Sequence, residues 1–360
     1  MIKSSSIVGY FMNKSYIIVS DIHLGSSRCN HGEFCHFLEW VKGLSNKPEA
    51  ITCNNLEMTM QSPDEIILLG DILELWDPRR GDRNNIIKDC LRPLDLLSDI
   101  DCNKIYVIGN HDDSLCELDG VVDEEVLDNG SRFFIHKRHY PEKDERGNIN
   151  GLKIGELSYS FIHGHQFNRS QVYIGRIIKY WNPLAWFQAA FNIPFSKKYL
   201  KVNLVIFVAL LLLGKYVLWN AFLDAHFTAT LVWAMATYFF AISSISGVVA
   251  NTQRMLYDLT KPADKTAEQV VTNRYYRKIK ETVNADVIVF GHTHFASSYK
   301  LESENKLFLN SGCWFGTNTN FNGKMRYANT FIYIDEIGAY IMRWLGNGKI
   351  ECIEAHIQKK

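Results

Sequence analysis

Carboxylate, amide and imidazole side chains gather in five short motifs along the chain. Six of its 12 histidines lie in these motifs, together with aspartates and one asparagine. Mixed oxygen and nitrogen donors of this kind suit a pair of hard or borderline divalent metal ions. One His-x-His pair alone is weak support, because lone histidines more often pack or face solvent, but the ordered set predicts a metal centre. The motifs are Asp21-x-His23, Gly70-Asp71, Asn110-His111-Asp112, His163-Gly164-His165 and His292-x-His294.

Each motif follows an apolar run of β-strand character, so the sequence predicts an α/β fold. Asp71, for example, is an acid presented at the carboxyl edge of a buried strand, which is where α/β sheets place their ligands. Residues two apart in an extended segment point to the same side, so Asp21 and His23 can hold one ion. The runs are Tyr16–Ser20, Glu65–Leu69, Lys104–Gly109, Leu152–Ile162 and Asp286–Phe290.

The composition bears on partners and compartment. Lys plus Arg and Asp plus Glu both number 39 in 360 residues, so no global electric field favours a nucleic-acid partner. A chain that is 47% hydrophobic can bury the core of one large domain with an insertion, or of two modest domains. The eight cysteines include no Cys-x-x-Cys pair, which predicts reduced intracellular thiols rather than a disulfide framework.

Residues beside the motifs offer proton-transfer and phosphate-binding groups. His111 can donate a proton, and Asp112 can orient its imidazole. Arginine forks suit phosphate oxygens, so several residues after the Asp71 and His163 motifs are candidate substrate contacts. The alternative for the first two of them is a solvated polar loop. These candidates are Arg79, Arg80, His165, Arg169, Tyr173 and Arg176.

The ordered motifs resemble those of the calcineurin-like metallophosphoesterase superfamily, from about Tyr16 to Trp314 apart from one insertion. The resemblance implies a sandwich of two mixed β-sheets flanked by helices, with a binuclear metal centre at the strand ends. It also implies in-line attack on phosphorus, with His111, steadied by Asp112, binding phosphate and protonating the leaving oxygen. The implied ligands are Asp21, His23 and His294 for one ion, Asn110, His163 and His292 for the other, and Asp71 as the bridge.

Within that superfamily the chain is most similar to the UDP-2,3-diacylglucosamine hydrolases. They share the pattern Gly-Asp-x-x-Glu-x-Trp, found here at residues 70–76, and they carry a helical cap where this chain has its insertion. The chain departs from their pattern at His111, where they have arginine, and at His165, where they have aspartate. For Glu74 and Trp76, packing beneath the site is an alternative to a direct part in catalysis.

The insertion is strongly apolar. Residues 202–223 are apolar apart from one lysine and two asparagines, and residues 227–250 contain no charged residue. Helices of these lengths would reach roughly 33 and 36 Å, so the sequence predicts a transmembrane hairpin. Basic residues flank both of its ends, and the positive-inside rule then places the catalytic domain in the cytoplasm. The alternative is an apolar hairpin buried in a soluble cap or lying in one leaflet.

Together these features predict a metallophosphoesterase domain in two parts, 1–165 and 284–360, with an inserted cap at 166–283. The predicted location is the cell membrane, with two spanning helices and the bilayer as a partner. The predicted activity is two-metal hydrolysis of a phosphate or pyrophosphate ester of a lipid or nucleotide-linked lipid precursor. The alternative is a membrane-tethered phosphodiesterase or phosphatase for a soluble nucleotide or phosphoprotein. Mn²⁺ is the expected ion, with Fe, Zn and Mg as alternatives.

Overall fold

A computed structural model gives the architecture of the chain. It describes residues 14–53, 56–75, 83–113, 115, 124–142, 149–167, 200–223, 227–260, 264–272, 283–321 and 323–358. The chain divides into two compact units, of which the first comprises Met1–Asn168 with Pro262–Lys360 and the second comprises Arg169–Lys261. The domain boundaries expected from the sequence, at 165 and 283, stay a prediction.

Two mixed β-sheets form the centre of the first unit. The larger has the strands β1 (Tyr16–Val19), β4 (Glu65–Leu69), β5 (Asn103–Val107), β6 (Glu124–Val126), β7 (Arg132–His136), β18 (Thr330–Ile334), β19 (Gly338–Gly346) and β20 (Lys349–Ile357). Their order is β20-β19-β18-β1-β4-β5-β7-β6. The neighbours β1, β4, β5 and β7 run parallel, whereas β18 pairs with β1 antiparallel. The carboxyl ends of β1, β4 and β5 therefore meet at one edge.

The smaller sheet repeats this arrangement. Its strands are β8 (His139–Tyr140), β10 (Leu152–Ile154), β11 (Leu157–Ile162), β13 (Val287–Phe290), β14 (Ser297–Leu301) and β15 (Lys306–Asn310). Their order is β10-β11-β13-β15-β14, and β8 lies beside β11. The central strands β11, β13 and β15 are parallel, so their ends also share one edge.

Alternation along the strands explains how the sheets stack. On β1, Ile17 and Val19 belong to one hydrophobic cluster, and Ile18 belongs to another that includes Phe161 and Val289 of the smaller sheet. Because successive side chains point to opposite faces, β1 is buried on both sides. Its near-continuous apolar sequence is the one expected of a strand covered on both faces.

The chain also contains five described helices and three two-stranded sheets. The helices are α1 (His31–Gly43), α2 (Arg83–Asp99), α3 (Leu200–Leu223), α4 (Phe227–Thr260) and α5 (Ala267–Val271). The two-stranded sheets are β2 (Glu49–Cys53) with β3 (Leu56–Met60), β9 (Ile149–Asn150) with β12 (Val283–Asn284), and β16 (Thr319–Phe321) with β17 (Lys324–Arg326). α1 packs Phe34, Phe37 and Leu38 onto the larger sheet.

The second unit contains the segments predicted to be a transmembrane hairpin. In the part of the chain that the structure describes, no helix has the length and apolar character needed to cross a membrane. The predicted spans at 202–223 and 227–250, and the membrane location inferred from them, are therefore wrong. An apolar run is equally the sequence of a helix that packs on another helix, and α3 packs on α4. Their contact includes a hydrogen bond from Asn203 Nδ2 to Ser243 Oγ, 2.8 Å long.

The cysteines also differ from the prediction at one pair. Cys53, at the end of β2, forms a disulfide with Cys352 on β20, and their Cα atoms are 5.4 Å apart. The prediction of reduced thiols throughout is thus wrong for this pair. The two cysteines are separated by 299 positions in sequence, so no short spacing motif marks them. Cys35, Cys90, Cys102 and Cys313 are free.

Candidate metal centre

The five motifs converge at the common edge of the two sheets. Each follows the carboxyl end of a parallel strand, namely β1, β4 and β5 in the larger sheet and β11 and β13 in the smaller. Most of the side chains are buried, and Asn110, His165 and His294 are partly exposed. Elements far apart in sequence therefore bring carboxylates, an amide and imidazoles together at one place.

The backbone of the site is unusual because five non-glycine motif residues have positive φ. The angles are 52° at Asp21, 54° at His23, 54° at Asp71, 66° at His292 and 57° at His294. Only a few per cent of non-glycine residues adopt this left-handed conformation, and such residues cluster at active sites. Asp21 and His23 are therefore not in the extended conformation assumed from the sequence. Left-handed turns, rather than strand alternation, bring their side chains together.

Hydrogen bonds between two loops hold these turns in place. The loops after β1 and β4 continue the parallel pairing of their strands. Three backbone N–H groups of the first loop donate to the second, and one N–H group of the second loop donates back to the first. The bonds run from Asp21 N to Gly70 O (3.0 Å), from His23 N to Asp71 O (2.9 Å), from Leu24 N to Ile72 O (2.8 Å) and from Glu74 N to Leu24 O (2.8 Å). This register sets the first two motifs side by side.

The first donor group comprises Asp21, His23 and His294, whose ligand atoms lie within 4.8 Å of one another. Asp21 Oδ2 accepts hydrogen bonds from Ser20 Oγ and from His292 N, the latter at 2.8 Å. Its Oδ1 is buried, as is Nε2 of His23, and neither has a hydrogen-bond partner among the described residues. His294 Nε2 lies 3.3 Å from Asp21 Oδ1.

The second donor group comprises Asp71, His163 and His292, with Asn110 beside them. His163 Nδ1 lies 2.9 Å from the Leu69 carbonyl oxygen, so it carries a hydrogen. In the neutral imidazole Nε2 is then an acceptor. It faces two more acceptors, Asp71 Oδ2 and Asn110 Oδ1, both at 3.2 Å. Three converging acceptors require a cation between them, which is either a proton or a metal ion.

A third group, His23, Asp71 and His111, joins the other two. Asp71 is shared with the second group and His23 with the first. Asp71 Oδ1 accepts a hydrogen bond from His111 N at 2.8 Å. The buried carboxylate of Glu74 lies below, with one oxygen 2.9 Å from His23 Nδ1 and the other 2.7 Å from His111 Nδ1.

Asp112 has a different role from the predicted one. Its carboxylate accepts hydrogen bonds from Gly109 N, from Ile72 N at 3.0 Å and from Tyr106 Oη at 2.7 Å. The prediction that Asp112 steadies the His111 imidazole is wrong for Nδ1, because the partner of that ring nitrogen is Glu74. The physical reason is that the Asp112 oxygens are used to fix the loops after β4 and β5.

The electrostatics of the site favour a bound cation. Burial works to lower the pKa of His163, but the charge of Asp71 raises it to about 10. Burial likewise opposes ionisation of Glu74, yet the charge of His111 and hydrogen bonds from both histidines lower its pKa to about 2. The pKa of Asp71 is also held well below its usual range, mainly by His163 against the effect of burial. Ion binding at such a site releases protons.

The donor set fits divalent metal ions. Besides the buried unpartnered atoms of Asp21 and His23, both ring nitrogens of His292 are buried without a hydrogen-bond partner in the described part of the chain. Buried polar atoms without partners are rare in native proteins and call for an explanation such as an ion. Carboxylate, amide and imidazole donors are those that Mn, Fe and Zn accept.

Residues 15–296 match the model of the family described as calcineurin-like phosphoesterase. The chain belongs to this family. It is therefore a metal-dependent phosphoesterase with an α/β fold of mixed sheets, as the sequence predicted. A comparison with curated proteins finds no match.

Solved structures of similar proteins span nearly the whole chain. Wild-type Vps29 from Entamoeba histolytica, complexed with zinc, is 12% identical with a TM-score of 0.35, and the match covers 95% of this chain and 98% of that one. A dimetal phosphatase from Danio rerio is 10% identical with a TM-score of 0.37, and the match covers 91% of this chain and 95% of that one.

The predicted substrate contacts have mixed outcomes. His165 lies in a short 3₁₀ helix, His165–Phe167, with its ring centroid 5.6 Å from that of His163. Burial, followed by the charge of His163, lowers the pKa of His165 to about 4. Its role stays a prediction. The other predicted contacts lie outside the residues that the structure describes; they are Arg79, Arg80, Arg169, Tyr173 and Arg176.

The structure adds residues that the sequence did not assign to the site. Glu74 had a signal, the pattern at 70–76, but its contacts depend on the loop register. Phe315 packs against His23 and His294, with ring centroids 5.2 and 4.7 Å away. Arg326 is buried and donates from Nε to the His294 carbonyl oxygen at 3.2 Å. Neither Phe315 nor Arg326 belongs to a pattern that could have identified it.

Proposed function

We propose that the chain is a two-metal hydrolase of phosphoric esters with the ligand set expected from the sequence. Asp21, His23 and His294 would hold one ion, and Asn110, His163 and His292 the other, with Asp71 shared between them. The observation that carries this proposal is the three linked donor groups, which share Asp71 and His23. We propose Mn²⁺ as the resident ion, because hard oxygen donors occur together with imidazoles.

The residues of the chain would divide the chemistry between them. When bound, the two ions supply Lewis acidity toward the phosphoryl oxygens and the attacking water. His111, held at Nδ1, presents its other ring nitrogen and donates a proton to the leaving oxygen. Asn110 turns its amide oxygen toward the second group, and His165 contacts the phosphate from the rim.

For the substrate we propose a phosphate or pyrophosphate ester of a lipid or nucleotide-linked lipid precursor, as in the UDP-2,3-diacylglucosamine hydrolases. The support is the sequence pattern at 70–76 and the helical segment between the His163 and His292 motifs. Glu74, the glutamate of that pattern, lies inside the site in contact with two of its histidines. The proposal requires no membrane attachment of the chain.

One observation favours an ester over a pyrophosphate as the substrate, which brings in a second candidate, a phosphodiesterase or phosphatase for soluble nucleotides. His111 replaces the arginine of the diacylglucosamine hydrolases and is held as a proton donor. A proton donor matters when an alkoxide leaves, but a leaving phosphate, with a pKa of about 6, needs little protonation. His111 therefore suits the cleavage of an ester better than the cleavage of a pyrophosphate.

A substrate panel separates the two candidates. The purified protein with Mn²⁺ is assayed on UDP-diacylglucosamine, lipid phosphates, soluble nucleotides and cyclic nucleotides, with His111→Ala as the control. Preference for the amphiphilic esters supports the lipid assignment. Much faster hydrolysis of soluble nucleotides than of any amphiphilic ester would show that the lipid assignment is wrong. No metal-dependent hydrolysis of any ester would contradict the two-metal proposal.

A further inference from the structure

An ion pair outside the five motifs lies against His294, the candidate ligand of the last motif. Asp264 Oδ1 is 3.5 Å from Arg326 Nε, and the Arg326 side chain is 7% exposed. The same carboxylate oxygen lies 3.7 Å from His294 Nδ1. Arg326 Nε also donates a hydrogen bond to the His294 carbonyl oxygen at 3.2 Å. The pair therefore contacts both the ring and the backbone of this histidine.

The two ring nitrogens of His294 face different groups. Nε2 lies 3.3 Å from Asp21 Oδ1, inside the first donor group, and has no hydrogen-bond partner among the described residues. Nδ1 faces the Asp264 carboxylate instead. An ionised carboxylate only accepts hydrogen bonds, so it favours hydrogen on Nδ1 and leaves the lone pair on Nε2. At 3.7 Å the contact is longer than a hydrogen bond, and a small rotation of the ring would close it.

Hydrogen bonds to the last motif hold Asp264 in this place. Lys265 N donates to Thr293 O at 3.3 Å, and Thr293 Oγ1 donates back to Lys265 O at 2.8 Å. Thr266 then begins α5 with a capping box, which fixes the direction of the chain. Because Lys265 and Thr293 are joined in both directions, their neighbours Asp264 and His294 lie side by side.

Arg326 is anchored independently of Asp264. Its Nη2 lies 3.1 Å from Cys313 Sγ, in the loop after β15. Its guanidinium carbon is 5.2 Å from the centroid of the Phe315 ring, which packs edge to face on His294 with centroids 4.7 Å apart. A guanidinium fixed in this way holds the acid by its charge. It also holds the left-handed backbone of His294, where φ is 57°, through the carbonyl oxygen.

We propose that Asp264 and Arg326 are positioning residues for His294, which hold its Nε2 toward the ion of the first donor group. This inference rests on the proposed two-metal function. It adds that the two ions depend on different surroundings, because the pair contacts one ligand of the first donor group and lies beside a single motif. Loss of the pair should therefore weaken the ion of the first donor group and leave the other ion bound as before.

The test is Asp264→Asn, because asparagine keeps the size of the side chain but removes the charge that faces His294 and Arg326. The metal-free protein is titrated with Co²⁺, followed by visible absorption, and stoichiometry is measured by atomic emission. We expect wild type to bind two ions, and the variant to bind one of them about 10- to 100-fold more weakly and the other unchanged. The exposed residue Asp128 supplies the matched control, Asp128→Asn, which should bind both ions as wild type does.

Double variants identify the weakened ion. His294→Ala removes a ligand of the first donor group, and His163→Ala removes a ligand of the second. We expect Asp264→Asn to add nothing to the loss of affinity in His294→Ala, and to add its full fold-change to that in His163→Ala. Unchanged Co²⁺ affinity in Asp264→Asn, equal weakening of both ions, or a full additional loss on top of His294→Ala would overturn the inference.

The inference and the proposed function fail in different ways. A wild-type protein that binds fewer than two ions contradicts the two-metal proposal, whereas two ions held equally well by Asp264→Asn overturn the inference alone. If Asp264→Asn does not fold, nitrogen-15 NMR of the Zn²⁺-loaded wild type gives the answer. We expect a hydrogen on Nδ1 of His294 that exchanges slowly with solvent, because the carboxylate accepts it; hydrogen on Nε2, or rapid exchange, would overturn the inference.

Discussion

Replacement of Asp71 by asparagine should remove the stabilisation that metal ions give to the protein. Asp71 belongs to two of the three donor groups, so one substitution withdraws a carboxylate from both. Asparagine can keep the hydrogen bond from His111 N to Oδ1, which is 2.8 Å in the structure. Its second polar atom becomes an NH₂ group, which cannot bind a cation. The substitution therefore changes the shape of the side chain little, but it should lower the metal affinity strongly.

The size of the effect follows from the size of the first unit. One ion at a free concentration of 100 times its Kd stabilises the folded state by about 2.7 kcal/mol. The first unit has about 270 residues, and at about 2.1 cal/mol/K per residue its unfolding entropy is about 0.57 kcal/mol/K. Each ion should then raise Tm by about 5 °C, and two ions by about 10 °C. Asp71→Asn should lose most of this rise.

The assay is thermal unfolding in EDTA and in Mn²⁺, with hydrolysis of p-nitrophenyl phosphate measured on the same samples. Asp95→Asn, on the exposed side of α2, is the matched control and should respond as wild type does. A variant at Asp71 that keeps both the full rise in Tm and the hydrolysis rate would refute the assignment of Asp71 as the shared ligand.

Three further results are expected. Gly291→Ala should slow hydrolysis by up to about 100-fold, because its new Cβ would lie 2.5 Å from Asp21 Oδ2 and would displace that ligand. Gly32→Ala, which meets open space in α1, should instead stabilise the protein by about 0.4–1 kcal/mol. Cys352→Ser should lower the stability by about 2–4 kcal/mol and abolish the effect of reductant on Tm, since it opens the one described disulfide. Asn203→Ala should weaken the α3–α4 pairing by about 1 kcal/mol. A double-mutant cycle with Ser243→Ala measures the contribution of the hydrogen bond between the two side chains.

The strand ends could be predicted because two signals coincide there. An apolar run reports a strand buried on both faces, and an abrupt Gly-Asp or Gly-His reports the residue where the strand stops. Asp71 and His292 are found in this way without knowledge of the sheet order. Parallel strands then place their ends at one edge of each sheet, so convergence within a sheet follows from the fold class. The meeting of the two edges depends on how the sheets stack.

Other features depend on distances that the sequence does not contain. Cys53 and Cys352 are adjacent only because β2 and β20 are neighbours in space, although 299 positions separate them in sequence. The length of the apolar runs at 202–223 and 227–250 does not distinguish a helix that packs on another helix from one that crosses a bilayer. Arg326 reaches the site from a short hairpin that has no motif of its own.

The position of the Glu74 side chain depends on the register between two loops as well as on the local sequence pattern. Its spacing of three residues from Asp71 is visible in the sequence, yet an extended strand would place the two side chains on opposite faces. The left-handed turn at Asp71, with φ of 54°, breaks that alternation, and the bond from Glu74 N to Leu24 O turns the glutamate toward His23. The short pattern Gly-Asp-x-x-Glu therefore specifies a turn and a cross-loop register together. That is why a carboxylate one loop away from His23 lies 2.9 Å from its Nδ1.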